Sequence, residues 1–383
     1  MTRYYYSLLF GLTIAFGSIV LSLLGSAFLH HEINMWGLAW SVVFVWALVH
    51  FLYSKTVDPK LLFVLSISCG FTLLSRAAMA LAPLITLAFL LFVVIVAIRE
   101  NSGNVEKSNG FLDWLQWSKE SIKSSQIKPI IIAAFLPIIL CVAFQLKINY
   151  ERWRDPFEFF PMKYYGFMLR ETERYKRVQE NGVHNLSRIP KAFVFYFIPA
   201  SQHFSNKFPY LEISSDHDLF RSLKPIHVDN LEPANPFPLN SLYLFCMAII
   251  GFFALNQVYN NLGKVVVLLF FVASVYSLSV LVMSLRYEAD YIPFFLLLSF
   301  PSFNVLMGFE SKGKVFCKMA RFFLLVLALV SIYTASSTLA KYKLWLWPVP
   351  ESCKQNIIVF FNKTDLSLKE TLYKKIFKVN KRN

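Results

Sequence analysis

The sequence predicts an all-α integral membrane protein with about nine transmembrane helices and a small extracytoplasmic cap between the fifth and the sixth. Three observations lead there. Hydrophobic residues make up 56% of the 383, aromatics 17%, and phenylalanine alone occurs 39 times, beyond the apolar share of a soluble domain. Long apolar runs such as "KVVVLLFFVASVYSLSVLVMSL" and "IPFFLLLSFPSFNVLMGF" flank short polar stretches such as "RYEADY". Lysine and arginine crowd the connections on one side, against only two in the short connections on the other.

A spanning helix needs about 20 apolar residues. On that rule helices are expected near residues 5–29, 35–53, 61–75, 82–98, 129–146, 239–257, 265–284, 291–308 and 322–340. The first run has no small-residue cleavage site and another follows it closely, so it reads as a retained helix and not a removed signal. The third and fourth also fit one long helix, 61–98, with a re-entrant stretch at Arg76. Four parts follow: 1–146 amino-terminal helices, 147–238 the cap, 239–340 carboxy-terminal helices, and 341–383 a basic tail.

With the start of the chain in the cytoplasm, the inner connections are 54–60, 99–128, 258–264 and 310–321, which carry 12 lysines and arginines. The short outer connections carry only Arg76 and Arg286. That asymmetry is the positive-inside pattern, and it sets the orientation. The tail runs against it, with ten basic residues against three acids on the outer side; long tails obey the rule weakly. The cap segment holds 13 basic and 11 acidic residues.

The formal net charge of +15 does not point to nucleic acid. Inner loops and tail account for it through topology and anionic headgroups, which makes membrane lipids the expected partner. The five cysteines, Cys69, Cys141, Cys246, Cys317 and Cys353, form neither a metal spacing nor a disulfide framework. No internal repeat or low-complexity stretch occurs.

The polar residues of interest all fall on the outer side. In "RYEADY" (286–291), Arg286 is suited to a two-pronged contact with phosphate or carboxylate, with Tyr287 beside it, while Glu288 and Asp290 are of the kind that orient it or hold a divalent metal. The same residues also suit an internal ion pair that seats a helix end, with Tyr287 and Tyr291 as interfacial anchors. Arg76, within "LLSRAAMALAP", is costly in an apolar run and should reach an acid or an anionic ligand. "HHE" at 30–32 offers Glu32 as a general base or, with the histidines, a metal site; a solvated turn is the plainer reading. In "NYERWRDPFEFFPMKYYGF" (149–167), Tyr150 and its neighbours alternate with Arg152 and Arg154, as a groove for sugar or phosphate would require. An amphipathic helix resting on lipid has the same pattern. Asn185 in "NLS" and Asn362 in "NKT" match glycan acceptor triplets.

Taken in order, "E..MWGLAW" (Glu32, Trp36, Gly37), "LLSRAAMALAP", "NYERWRDPFEF", "NLSRIPKAFVFYFIP" leading to "FPYLEI", and "RYEADYIPFFLLL" resemble the later part of a set of bacterial multi-spanning proteins similar to the C superfamily of glycosyltransferases. The resemblance covers most of residues 30–300. It implies a protein of the bacterial inner membrane. Such a protein takes a sugar from a polyprenyl-phosphate carrier and passes it to a cell-envelope acceptor outside. The catalytic acids implied are Glu32, Asp290 and Glu288. Arg76, Arg152, Arg154, Arg286, Tyr287 and Tyr150 are the implied substrate contacts, and whether a divalent metal serves as cofactor is left open.

The chain departs from that pattern in its first outer loop. The superfamily keeps an acidic residue there, often a DD or DE pair, as base or metal ligand. Here the loop is "HHEINM", Glu32 matches a later position, and neither pair occurs anywhere. The resemblance therefore implies either a missing amino-terminal part or a divergent member without that base, able to bind a lipid-linked sugar with or without turnover. A transporter or a structural membrane protein is the competing expectation. Transporters favour repeats and broken helices at the midplane, whereas these charges sit at helix ends on one side.

Overall fold

The computed structural model describes residues 2–26, 29–54, 57–101, 127–158, 172–198, 202–204, 211–213, 229–231, 235–280, 282–311, 314–346 and 359. Most of the inner connection 99–128, the side chains of His30 and His31, the aromatics 159–167, Cys353, Asn362 and nearly all of the tail lie outside the described residues. The chain is membrane-embedded and overwhelmingly helical. Among the described residues four helices are long and apolar enough to cross a membrane, at Glu32–Tyr53, Ala77–Arg99, Ile127–Trp153 and Lys318–Ala340. Shorter apolar helices lie at Tyr6–Phe16, Pro59–Ser75, Leu242–Val258, Asn261–Ser277 and Ile292–Gly308.

The expected first helix, 5–29, is divided into α1 (Thr2–Phe16) and α2 (Ile19–Ser26). The hydroxyls of Thr13 and Ser18 donate to the carbonyls four residues back, each at 2.6 Å, which bends a helix. At the bend Ser331 Oγ donates to the Gly17 carbonyl at 2.6 Å. A Cβ on Gly17 would stand 3.1 Å from the backbone nitrogen of Ile332, so glycine is what lets the long last helix approach. The helices that follow are α3 (Leu29–Tyr53), α4 (Pro59–Ser75), α5 (Ala77–Asn101) and α6 (Ile127–Trp153).

Between α4 and α5 the helix is interrupted at the single residue Arg76. Arg76 adopts an extended conformation, φ −156° and ψ 106°. Its N–H still donates to Thr72 at 2.7 Å, and its carbonyl accepts from Ala80 at 3.1 Å, so it closes one helix and opens the next. In α6, Pro137 cannot donate to the carbonyl four residues back. Ser66 of α4 bridges the disturbed turn, donating to Ala134 O at 2.6 Å and accepting from Ile138 N at 3.2 Å.

Beyond α6 the described residues form α7 (Thr172–Asn181), a 3₁₀ turn η1 (Leu186–Arg188) and α8 (Ile189–Phe197). Strands β1 (Gln202–Phe204) and β2 (Leu211–Ile213) pair antiparallel. Strand β3 (Asp229–Leu231) pairs parallel with β4 (Val282–Met283). The remaining elements are α9 (Phe237–Asn240), α10 (Leu242–Val258), α11 (Asn261–Ser277), the 3₁₀ turn η2 (Leu285–Asp290), α12 (Ile292–Ser311) and α13 (Lys314–Leu346).

The core joins α3, α4, α5 and α10 to α12 through Phe44, Leu48, Leu62, Leu65, Leu90, Phe270 and Leu297, each wholly buried. α10 lies directly on α12: a Cβ on Gly251 would collide with the Leu298 carbonyl at 1.9 Å. The outward faces stay apolar. Ile132, Leu136, Ile139, Leu140 and Phe144 are exposed on α6, as are Phe322, Phe323 and Leu329 on α13. Apolar bands of that extent are what hydrocarbon covers.

Candidate functional site

Several element ends meet around η2, whose six residues read LRYEAD. Its entry is fixed by Tyr196 of α8, whose hydroxyl accepts from Ser284 N at 2.9 Å and donates to Ser284 O at 3.1 Å. The Tyr287 N–H donates to Ser284 O at 3.0 Å, and Tyr291 N to Glu288 O at 3.1 Å. This short turn presents alternate side chains to different neighbours.

Asp290 faces the α4–α5 junction. Its Oδ2 accepts from Arg76 Nη2 at 2.9 Å, with side-chain exposures of 14% for Arg76 and 6% for Asp290. Arg76 Nη1 donates to Oδ1 of Asn34, on the second turn of α3. The same guanidinium sits 4.7 Å from the centre of the Tyr287 ring, and Arg286 lies 5.4 Å from that ring. One phenol is thus flanked by two cations, each attracted by the ring quadrupole. Burial raises the Asp290 carboxyl above its ordinary value, and the adjacent Arg76 opposes that rise.

Glu288 turns the other way, into the protein. It is wholly buried, and its Oε2 accepts from Asn240 Nδ2 at 2.7 Å. Burial pushes this carboxyl well above the usual range, against the hydrogen bond from Asn240. Several buried polar atoms around η2 have no hydrogen-bond partner among the described residues: Glu288 Oε1, Asn240 Oδ1, Asp290 Oδ1, Arg76 Nε and Asn34 Nδ2.

Beside η2 lies an apolar cavity of about 290 Å³, with Phe193, Phe197, Phe271, Phe294, Phe295 and Tyr291 in its wall. Tyr291, which lines the cavity, follows Asp290 directly in the chain. Phe193 and Phe271 are each 49% exposed, which leaves the cavity open on the apolar flank of the helices.

Of the residues singled out in the sequence, the structure brings together Arg76, Arg286, Tyr287 and Asp290, with Glu288 behind them. Glu32 stands exposed on the first turn of α3 and joins none of these contacts. Tyr150, Arg152 and Arg154 form a separate group at the end of α6. Arg154 lies 5.8 Å from the Tyr150 ring and ends the helix with a left-handed φ of 60°, and Arg152 is exposed. Among the described residues no group of three or more His, Cys, Asp or Glu assembles as a metal site. Three contributors went unnoticed as site residues: Asn34, Asn240 and Tyr196. Their one signal is position, since each is a hydrogen-bonding residue at the edge of an apolar run.

A second polar junction clasps the segment before α8 to the end of α11. The His184 ring stacks on Tyr276 at 5.1 Å and 11°, and its Nδ1 is 3.0 Å from Ser279 Oγ. Asn185 N donates to Ser279 O at 2.9 Å, and buried Arg188 donates to the carbonyls of Val183 and Gly182. Burial first, then the Arg188 charge, lowers the His184 pKa. The Asn185 side chain accepts from Ser187 N and Oγ at 3.1 and 2.6 Å, so in this structure the "NLS" triplet forms a capped turn.

No protein-family model matches the chain, and neither a curated protein nor a solved structure does.

Proposed function

We propose that the chain is a membrane glycosyltransferase-like protein that binds a polyprenyl-phosphate-linked sugar at the outer face of a bacterial inner membrane. The observation that carries this reading is the Arg76–Asp290–Tyr287–Arg286 group at the helix ends, directly beside an apolar cavity open toward the helices' outer flank. An anionic head with a long apolar tail needs both features within a few ångströms. The nine apolar helices expected from the sequence are read as nine passes, with 147–238 as a cap outside. In support, α3, α5, α10 and α12 all begin at this polar end, whereas the end of α3 meets the end of α10, where Tyr53 Oη donates to Val258 O at 3.4 Å.

The roles divide by position around the Tyr287 ring. Both Nη atoms of Arg76 are occupied by Asp290 and Asn34, so Arg76 supplies field and position. Arg286 is the phosphate contact. As the bond from the anomeric carbon to the carrier phosphate breaks, the two guanidinium charges stabilise the departing phosphate oxygen. Glu32, the exposed acid, is the group available to take a proton from an acceptor hydroxyl.

A structural reading draws on the same occupied Arg76: a pair so fully engaged also seats α12 on the α4–α5 junction. Arg286 separates the two readings. Replacement by lysine keeps the charge but loses the planar fork. Under the carrier-phosphate reading, Arg286→Lys lowers affinity for a polyprenyl-phosphate sugar in detergent roughly tenfold or more, for a loss of about 1.5 kcal/mol in a charged hydrogen bond, with the melting temperature kept. Unchanged affinity in both Arg286→Lys and Arg286→Ala, with a lower melting temperature in the latter, would leave only the structural reading.

A further inference from the structure

We infer that Glu288 and Asn240 form a buried proton-binding site, in which a proton on the Glu288 carboxyl donates to Asn240 Oδ1 and closes an acid–amide pair. The inference stands apart from the carrier-phosphate reading, because neither side chain reaches the surface that a ligand would touch.

The geometry supplies the reason. Both residues are wholly buried, and one hydrogen bond already joins them, Asn240 Nδ2 to Glu288 Oε2 at 2.7 Å. Each then has one acceptor oxygen without a donor among the described residues, Oε1 on the acid and Oδ1 on the amide. An ionised carboxylate leaves both of these buried oxygens unsatisfied. One proton removes the charge and satisfies both oxygens at once.

Among the described residues no cation pairs with Glu288. From α8 comes the Tyr196 phenol, already bound to Ser284. On η2 and its end stand Tyr287, Tyr291 and Arg286, whose guanidinium lies 5.4 Å from the Tyr287 ring centre. Arg76 is committed to Asp290, and its second Nη to Asn34 of α3. Glu32 of α3 is exposed, and α2, which packs on η2, reads IVLSLLGS and carries no ionisable side chain. Burial as the leading cause of the raised Glu288 pKa agrees with a neutral acid.

A carboxyl whose pKa is higher folded than unfolded binds more protons in the native state. Its contribution is fully present below the unfolded value and is lost as pH rises toward the folded one. Across that window each pH unit raises the unfolded-to-folded ratio of the wild type about tenfold relative to Glu288→Gln, which cannot ionise.

The test is infrared absorption of the detergent-solubilised full chain near neutral pH, with and without ¹³C-carboxyl-labelled glutamate. The expected result is a protonated-carboxyl band that moves with the label, disappears in Glu288→Gln and changes frequency in Asn240→Ala. The label and Asn240→Ala decide the matter even if Glu288→Gln does not fold. Glutamate absorption that is wholly ionised would overturn the proton site. So would a sodium-dependent rise in the wild-type melting temperature that Glu288→Gln lacks, since a monovalent cation would then sit between the two oxygens.

Discussion

At the residue scale the organising unit is the Arg76–Asp290 pair, which ties positions 214 residues apart. Breaking a buried pair by removing one partner leaves an uncompensated charge and costs about 3–5 kcal/mol, while removing both costs less than the sum. Asp290→Ala should therefore unfold in mixed micelles at markedly lower denaturant than wild type, and Arg76→Ala likewise. The double replacement should be less destabilised than the two single effects added together. Strict additivity would mean that the two side chains do not depend on each other. Half of this site was legible in the sequence. A lone Arg in "LLSRAAMALAP" and acids in "RYEADY" stand out because charge at a helix end in a membrane must be answered by a partner. The partner's identity was not legible, because Arg76 had several acids to choose from and only the packing of η2 on α3 selects Asp290. Asn34 and Asn240 were invisible for a different reason: an amide at the edge of an apolar run has no charge to explain. Arg152 and Arg154 carried the same aromatic-and-basic pattern as a binding groove, but that pattern describes the end of α6 equally well.

At the element scale, apolar run length located the helices, and small polar residues inside the runs decided their shape. Gly17–Ser18 breaks the first run because α13 comes close enough to take the Gly17 carbonyl. Arg76 separates α4 from α5 by leaving helical geometry for one residue. Neither break follows from hydropathy, since Gly and Ser are tolerated within membrane helices and become breaks only where a neighbouring helix satisfies the freed groups. The Ser66 bridge to α6 shows the same principle. Its hydroxyl serves Ala134 O and Ile138 N next to Pro137, so Ser66→Ala removes both hydrogen bonds from an apolar interface. A loss of about 1–3 kcal/mol is expected, read as a lower melting temperature in detergent. Ser66→Thr keeps the hydroxyl and should lose less. Equal stability of wild type and Ser66→Ala would show that the kinked turn in α6 is satisfied without α4.

At the scale of the whole molecule, two kinds of information meet on the question of sidedness. The structure puts the far end of α13 beside α9: Thr334 Oγ1 donates to Leu239 O at 2.7 Å, and Thr338 Oγ1 accepts from Asn235 Nδ2. Asn240 at the end of α9 in turn holds Glu288. The chain therefore leaves α13 on the same side as the η2 group, and Val315, at the start of α13, lies toward the other end of that 33-residue helix. Which side faces the cytoplasm rests on charge alone. Twelve basic residues in the connections opposite η2, against Arg76 and Arg286 on its own side, favour η2 outside. The ten basic residues of the tail pull the other way, but they follow the last helix, where the rule is weakest. Leu186 and Val315, 65% and 70% exposed, report the two sides. In a background whose native cysteines are replaced, Leu186→Cys should react with a membrane-impermeant maleimide on intact cells, and Val315→Cys should react only after the cells are opened. Reaction at position 315 but not at 186 on intact cells would turn the molecule over, place the Arg76–Asp290 group inside, and end the case for chemistry at the outer face.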